Sequence, residues 1–385
     1  MPVRAGRRIP SAPSLRRCGR STSSHLPIPI ALDYRPALLS GAGIGRAVRE
    51  LAHALAACDD LDVHLFGHSL ARCRHPATVD TGVTLHRLPI AGRALPALAR
   101  LGLGADRLAG RAAVFHWTDY VQPPVTRART VFTVHDLAFV HDPTWHGDDA
   151  AVLRERTRRA IAAASAIVVP SVATARDVAA FAPVAPAAHV VPFGADHVPA
   201  PVAGATPTPA DHVLCVGTIE PRKNHRTVIA AWRLLPAPRP RLVVIGRIGW
   251  ACDDVVRELR TAAAAGLLTW RTDASDVDMF ALLRSARALV YPSSFEGFGF
   301  PPLEAMRMGV PVVAGDTAAL RELGGDAMLF APPGDPAALA EAIGRVMRDG
   351  DLRQRLCRAG LARAAAFTWR RCADAHAAIY REVAR

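Results

Sequence analysis

A chain of 385 residues is longer than one ordinary domain, and half of its residues are apolar, so two domains with separate hydrophobic cores are expected. The seven cysteines are scattered without a C-x-x-C pair, which argues against a disulfide scaffold or a zinc site and favours a reducing compartment. The formal net charge is +13, and arginine supplies almost all of the positive charge, since Lys223 is the one lysine among 47 basic residues. We interpret this preference for arginine as a bias of composition, and we expect no nucleic-acid partner.

The first 25 residues differ from the rest of the chain. They contain six arginines and a serine-rich tract but no apolar segment typical of a secretory signal. We therefore expect a disordered N-terminal extension over residues 1–25. The longest uncharged stretch, residues 178–195, is interrupted by three prolines and is not expected to cross a membrane. These features favour a cytoplasmic protein.

Short apolar runs alternate with helical patterns through the first half of the chain. Near-continuous apolar runs are typical of a parallel sheet that helices cover on both faces. A glycine-rich turn leads into a predicted helix with one apolar face, formed by Ile44, Val48, Leu51, Ala52 and Leu55. Strands are predicted at 28–32, 63–67, 83–88, 112–117, 130–135 and 166–171.

A proline-rich stretch separates this half from a second one. Residues 195–212 contain four prolines and no helical period, which predicts a linker at 196–207. Beyond it, strands are predicted at 212–217, 241–246, 267–270, 288–293, 310–315 and 327–332. Helices are predicted from about 225 and at 252–264, 276–286, 302–308, 336–348, 351–365 and 368–384. We therefore predict two doubly wound α/β domains, 26–195 and 208–365, with a ligand cleft at the carboxyl ends of their strands.

Two glutamates flank a glycine-rich loop in the stretch FEGFGFPPLEAM. Glu296 precedes Gly297 and Gly299, and Glu304 follows two prolines that are well placed to begin a helix. The glycines allow backbone amides to approach a ligand, and the carboxylates accept hydrogen bonds from hydroxyls, which together suit a polyhydroxylated, partly anionic ligand. The alternative is that Glu304 only complements the helix dipole and Glu296 is solvated.

A second motif, GTIEPRKN, places two cations after a predicted strand. Arg222 and Lys223 precede a helix that begins near residue 224, an arrangement that favours binding of phosphate. Lys223 is the one lysine of a chain whose other Lys/Arg positions are all arginine, which indicates that a compact ammonium is needed here. A solvated surface turn is the alternative.

These two motifs, in this order and about 80 residues apart, resemble the nucleotide-sugar site of glycosyltransferase family 4 (GT4), a family of retaining glycosyltransferases. The stretches TVHDLAF (133–139) and GAGIGRAVRELAHAL (41–55) resemble signatures of the family's first domain, and the resemblance extends over about residues 28–384. It implies the GT-B fold: two Rossmann-like doubly wound domains facing across a cleft, with a C-terminal crossover helix (366–385) returning to the first domain.

The resemblance also implies a role for each matching residue. Arg222 and Lys223 would bind the donor diphosphate, Glu304 the ribose hydroxyls, and Glu296 the transferred sugar, while His135 would face the anomeric carbon. Further donor contacts are implied for Gly43, Gly45, Thr218, Gly297, Phe298, Gly299 and Phe300. Thr218 departs from the pattern, because some relatives have an arginine there. The implied catalytic residues are therefore His135 and Glu296.

The implied enzyme needs no metal or other cofactor. His135 is followed by Asp136, His141 and His146, but their spacing gives no compact ligand set, so no metal site is expected. The implied partners are a nucleotide-sugar donor and a glycan or lipid-linked acceptor. Similarity of VHDLAF and EGFGFPPLEAM to bacterial polysaccharide mannosyltransferases favours GDP-mannose as the donor, and thus mannosyl transfer in the synthesis of cell-surface polysaccharide or glycolipid.

Residues 93–111 bear on location. Arg93, Arg100 and Arg107 are seven apart with leucines between them, a pattern that suits peripheral binding to an anionic membrane at its inner face. The alternative is a covering helix interrupted by Gly102 and Gly104.

Two other functions remain open from the sequence. A glycoside hydrolase could use Glu296 and Glu304 as acid and nucleophile, although it would leave Arg222 and Lys223 without a role. A non-catalytic nucleotide-sugar-binding protein is the third possibility, which Thr218 permits.

Overall fold

The computed structural model describes residues 26–41, 43–70, 83–147, 149–198 and 211–385. The expected extension over residues 1–25 and most of the predicted linker 196–207 lie outside the described residues.

The first domain contains a seven-stranded parallel sheet with the strand order β3-β2-β1-β4-β5-β6-β7. The strands are β1 (Ile28–Asp33), β2 (Leu61–His68), β3 (Thr84–Leu88), β4 (Val114–Trp117), β5 (Arg129–Thr133), β6 (Ala166–Val169) and β7 (His189–Val190). The helices are α1 (Arg35–Leu39), α2 (Ile44–Leu55), α3 (Leu95–Arg100), α4 (Ala105–Leu108), α5 (Ala138–His141), α6 (Asp149–Ala163) and α7 (Val172–Phe181). The sequence did not predict β7, because two residues are too short for a periodic signal.

The second domain contains a six-stranded parallel sheet with the order β10-β9-β8-β11-β12-β13. The strands are β8 (His212–Val216), β9 (Arg241–Ile245), β10 (Leu268–Arg271), β11 (Leu289–Tyr291), β12 (Val312–Gly315) and β13 (Met328–Ala331). The helices are α8 (His225–Leu234), α9 (Asp253–Ala264), α10 (Asp276–Ser285), α11 (Phe300–Arg307), α12 (Ala318–Gly324), α13 (Pro336–Arg348) and α14 (Gly350–Ala364).

In both sheets the strand order reverses beside the first strand, between β1 and β4 and between β8 and β11. Ligands of doubly wound sheets bind at such switch points, outside the carboxyl ends of the strands. The predicted fold class is confirmed, and the cleft lies where it was expected. The domain boundaries stay a prediction.

The last helix, α15 (Trp369–Val383), returns to the first domain and packs against α2. Its apolar face is buried, and the Tyr380 hydroxyl lies 2.7 Å from His116 Nδ1 in β4. The His116 ring also contacts the Thr133 hydroxyl at 2.7 Å, so both of its nitrogens are paired inside the core. The predicted crossover helix is therefore confirmed.

One predicted helix begins earlier in the structure, and one segment is resolved between its two interpretations. α11 begins at Phe300, two residues before the predicted start, because Gly299 adopts φ +119° and turns the chain into the helix early. Residues 93–111 contain the two short helices α3 and α4, and Gly102 between them has φ +77°, which is the interruption that the alternative interpretation of this segment predicted. Among the described helices, none is both long and apolar enough to span a bilayer.

Candidate active site

A cavity of about 700 Å³ lies between the two domains, at the carboxyl ends of both sheets. It brings together residues that are up to 263 positions apart in the chain, from Gly41 to Glu304. Eleven predicted site residues line it: Gly43, His135, Thr218, Arg222, Lys223, Glu296, Gly297, Phe298, Gly299, Phe300 and Glu304. Gly45, the twelfth, does not line it. A Cβ atom at Gly45 would lie 2.2 Å from the Ser40 carbonyl oxygen, so this glycine serves close packing within the first domain rather than ligand contact.

One end of the cavity, which we call the cationic end, consists of Arg222, Lys223 and Glu296. Lys223 Nζ lies 2.5 Å from Glu296 Oε1, and an Arg222 guanidinium nitrogen lies 3.1 Å from Oε2. The Tyr291 hydroxyl holds the same ammonium at 2.7 Å. The short 3₁₀ turn Pro221–Lys223 after β8 presents both cations, and Asn224 in the left-handed conformation then starts α8. Glu296 therefore forms ion pairs with both cations and is not solvated.

The two cations keep Glu296 ionised. Burial alone would raise the pKa of this carboxyl, but Lys223 and Arg222 hold it at about 2. Burial would lower the pKa of Arg222, and the charges of Glu296 and Asp136 raise it instead. The cationic end therefore stays charged on both sides of the pair at neutral pH.

Glu220 adds a carboxylate that the sequence did not single out. It is 2% exposed, lines the cavity, and lies 3.0 Å from Arg222 Nε through Oε1. Burial raises the pKa of Glu220, against the lowering effect of Arg222. Its Oε2 atom has no hydrogen-bond partner among the described residues.

The other end, which we call the Glu304 end, consists of Arg46, His197 and Glu304. Glu304 is fully buried, and its Oε1 atom lies 2.6 Å from an Arg46 nitrogen and 3.2 Å from His197 Nε2. Burial would raise the pKa of Glu304, but Arg46 and the His197 hydrogen bond lower it. The carboxylate of Glu304 is therefore charged, and it does more than complement the dipole of α11.

His135 faces the cavity from the first domain. Its Nε2 atom lies 2.8 Å from the Thr118 carbonyl oxygen, which only accepts, so Nε2 carries the proton. Burial lowers the pKa of His135, which keeps the ring neutral at neutral pH and leaves Nδ1 as an acceptor. Its ring also stacks on Phe193 at 5.8 Å.

The loop between the two glutamates touches the first domain. A Cβ atom at Gly297 would lie 1.8 Å from the His135 carbonyl oxygen, so only glycine permits this approach. The Gly297 carbonyl accepts a hydrogen bond from the Ser171 hydroxyl at 2.7 Å. The rings of Phe298 and Phe300 pack on Phe193, at 5.3 and 5.2 Å between centroids. These phenylalanines thus hold the loop against the first domain through their rings.

The histidines after His135 make aromatic contacts. His141 stacks on Phe295 at 4.8 Å, and the rings of His146 and Trp250 are 5.6 Å apart. Within the described part of the chain, no three His, Cys, Asp or Glu side chains are grouped to hold a metal ion. Independence from metal stays a prediction.

Comparison with known families covers both domains. The family model "Glycosyltransferase Family 4" matches residues 41–198, and "Glycosyl transferases group 1" matches residues 203–363. The chain belongs to glycosyltransferase family 4. The predicted recognition of the family is confirmed.

Among curated relatives of this family 4 chain, O-antigen chain mannosyltransferase B of Escherichia coli is 38% identical over 164 residues, 42% of this chain and 43% of that protein. The match thus spans less than half of the relative's length. Sucrose-phosphate synthase from Thermosynechococcus elongatus has a similar structure, with a TM-score of 0.73, 22% identity, and 92% and 99% of the two chains covered. Anabaena HepE in complex with UDP gives a TM-score of 0.70 at 17% identity, over 92% and 100% of the chains. These structures share the fold of the family 4 chain.

Two residues of this family 4 site, Arg46 and His197, were not predicted from the sequence. Arg46 is the third residue of α2, where the helix dipole disfavours a cation. Its position near the start of a predicted helix could therefore have indicated an acidic partner from elsewhere in the chain. His197 lies in the predicted linker and had no signal at all. Their shared partner, Glu304, lies 258 and 107 residues away, respectively.

Proposed function

We propose that the protein transfers a sugar from a nucleotide-sugar donor to an acceptor hydroxyl with retention of the anomeric configuration. One observation carries this proposal: a single interdomain cavity holds paired cations at one end and a charged, buried carboxylate at the other. A nucleotide sugar offers the matching groups, a diphosphate for the cations and ribose hydroxyls for the carboxylate. Membership of glycosyltransferase family 4 supports the same reaction class.

The diphosphate would bind Arg222 and Lys223, which now neutralise Glu296. The diphosphate and Glu296 would then both pair with these cations, and the hydrogen bond to the Tyr291 hydroxyl would keep Lys223 in place. Glu296 would then be available to the hydroxyls of the transferred sugar, which would lie between the loop and His135. The two cations supply positive charge next to the leaving diphosphate, a task that a metal ion performs in other enzymes.

Charge development explains the division of roles during transfer. As the bond to the diphosphate breaks, the anomeric carbon gains positive charge and the diphosphate gains negative charge. Lys223 and Arg222 would stabilise the leaving group, and the ionised Glu296 would stabilise the sugar. The Nδ1 acceptor of His135 would face the sugar from the other domain.

The donor base is proposed to be guanine and the sugar mannose. With the diphosphate at the cationic end and the ribose at Glu304, the base would lie near the turn 272–276, because Arg46 joins Glu304 to Asp276. Asp273 in this turn lines the cavity. Its carboxylate would accept two hydrogen bonds from guanine, which presents two adjacent donors. Uracil presents one donor between two carbonyls. The names of the curated mannosyltransferase relatives support mannose.

The acceptor is proposed to be a growing glycan or a lipid-linked sugar at the inner face of the membrane. Leu101 and Leu103 are 77% and 43% exposed between Arg100 and Arg107, which suits contact with anionic lipid. Co-sedimentation with vesicles that contain phosphatidylglycerol, but not with neutral vesicles, would be the expected result. Arg100→Glu should reduce it, and binding to neither kind of vesicle would contradict membrane contact.

The hydrolase alternative fits the site poorly. A glycosidase needs one carboxyl protonated as the general acid. Cations hold the pKa of Glu296 at about 2 and lower that of Glu304, so both are ionised at neutral pH.

The test is a donor assay with purified protein, GDP-mannose or UDP-glucose, and a glycan or lipid extract as acceptor. We expect GDP release that depends on the acceptor, and a product whose linkage keeps the donor's anomeric configuration by NMR. Binding of nucleoside diphosphates without turnover across such extracts would favour the non-catalytic alternative. Release of free mannose from glycosides, without any nucleotide, would favour the hydrolase.

A further inference from the structure

We propose that Arg46 and His197 are positioning residues for Glu304, and that Arg46 gives Glu304 its ribose-binding form only when the two domains are in contact. This inference rests on the proposed function, since it takes Glu304 as the carboxylate for the ribose. On this inference, Arg46 and His197, which lie outside the second domain, orient the carboxylate of Glu304 within it.

Arg46 reaches across the cleft from α2. Arg46 is 4% exposed, and its guanidinium lies 2.6 Å from Glu304 Oε1 and 2.7 Å from Asp276 Oδ1, both in the second domain. It also lies over the Phe280 ring, 5.2 Å from the centroid. Every one of these partners comes from the opposite domain. Separation of the domains would leave Arg46 without them, at the N-terminal turn of a helix whose dipole disfavours its charge.

His197 holds the same oxygen from the segment that joins the domains. The Trp369 indole N–H donates to His197 Nδ1 at 3.0 Å. Because indole nitrogen only donates, Nδ1 is an acceptor and the ring proton is on Nε2, which then donates to Glu304 Oε1 at 3.2 Å. Trp369 is itself anchored through its backbone N–H to the Asp196 carboxylate at 2.7 Å. The start of the crossover helix therefore sets the tautomer of His197.

The arrangement leaves one atom of Glu304 for a ligand. Both Arg46 and His197 use Oε1, whereas Oε2 is buried and has no hydrogen-bond partner among the described residues. A buried carboxylate oxygen without a partner is costly unless a donor arrives. Glu304 also lines the cavity, so a ribose hydroxyl is the donor that the site lacks. Nucleotide binding and domain contact thus stabilise each other, as linkage requires.

The decisive experiment compares GDP with 2′,3′-dideoxy-GDP, which lacks the hydroxyls that Glu304 would bind. Wild-type protein should bind GDP more tightly by calorimetry. Arg46→Met should weaken GDP binding by about ten- to a hundredfold, the loss expected for a hydrogen bond to a charged group. It should leave dideoxy-GDP nearly unchanged, so the preference for ribose disappears. A purely structural role would weaken both ligands equally.

Two further variants keep the test independent of folding problems. Asp276→Asn removes the partly exposed partner of Arg46, whose side chain is 49% exposed, and should reduce the ribose preference by roughly two- to fivefold. Arg321→Met is the matched control, because Arg321 pairs with Asp316 within one domain. The control should retain the full preference. Equal losses for GDP and dideoxy-GDP in the Arg46 and Asp276 variants would overturn the proposal.

The His197 part has its own test. Trp369→Phe removes the indole donor, so the His197 ring can place its proton on Nδ1 and turn a lone pair toward Glu304. The ribose preference should fall about five- to tenfold, the effect of one hydrogen bond. His197→Gln, whose amide donates without help from Trp369, should restore part of the preference in the Trp369→Phe background. Additive losses in the double variant would contradict the assigned tautomer.

Failure of this inference is distinguishable from failure of the proposed function. If wild-type protein binds GDP without preferring it to dideoxy-GDP, Glu304 does not bind ribose and the inference is wrong. If wild-type protein binds neither GDP nor UDP, the proposed function itself is wrong.

Discussion

The two ends of the cavity are built in different ways. The cationic end is formed within the second domain, by a turn after β8 and a loop after β11, two strands that are neighbours in one sheet. The Glu304 end takes Arg46 from α2, His197 from the interdomain segment and Trp369 from the crossover helix. The ion pairs of Glu296 therefore lie within the second domain, although its loop also packs on the first, whereas the ion pair of Glu304 with Arg46 crosses the cleft and requires the domains to be in contact. On the proposed function, the diphosphate would bind to the second domain first, and the ribose would bind to Glu304 once the domains are in contact.

The largest effect should separate the two glutamates. Glu296→Gln should lower kcat on the order of a hundred- to a thousandfold with little change in donor KM, because its charge acts mainly in the transition state. Glu304→Gln should mainly raise donor KM, because ribose is bound equally before and during transfer.

Steady-state kinetics with saturating acceptor would measure both changes, with His135→Ala expected to resemble Glu296→Gln. Abolished turnover in Glu304→Gln at saturating donor, together with near-normal turnover in Glu296→Gln, would mean that the two ends are assigned the wrong way round.

Lys223→Ala tests the cationic end alone. Loss of a charge-assisted hydrogen bond costs about 1.5 to 3 kcal/mol, so GDP binding should weaken roughly ten- to a hundredfold. Guanosine binding, which makes no use of the cations, should barely change. Titration calorimetry or competition NMR would check both ligands. The ribose preference should survive this variant, in contrast to Arg46→Met, and equal losses for GDP and guanosine would indicate a distorted cleft.

This difference between the ends also explains what the sequence could predict. Arg222, Lys223, Glu296 and Glu304 were found because each lies in a short string next to a strand end, where residue order alone fixes the neighbourhood. The contacts of Arg46 depend on how two domains meet, which no local pattern encodes.

Stability should depend on pH through the cationic end. The pKa of Glu296 falls from an ordinary 4.5 to about 2 in the folded protein, so its ion pairs contribute stability above about pH 4.5. That contribution is lost as pH falls from about 4.5 toward 2, because over this range the unfolded state binds a proton that the folded state does not bind. Thermal unfolding of wild type and Glu296→Gln across this range should show the smaller pH dependence in the variant. Parallel curves would mean that Glu296 is not paired in solution.

The smallest expected effect is a gain. Thr218 lines the cavity beside the cationic end, at a position where some relatives have arginine, and its side chain is partly buried. A guanidinium there would add a partly exposed charge near the diphosphate, and such pairs contribute about 0.2 to 1 kcal/mol. Thr218→Arg should therefore tighten GDP binding roughly two- to fivefold, and the gain should shrink at high salt while guanosine affinity stays constant. Thr218→Gln is the matched control, since it adds length without charge and should bring no gain. An equal gain in GDP affinity in the glutamine variant, or a gain that persists in high salt, would contradict this prediction. It would mean that the added charge does not act on the diphosphate.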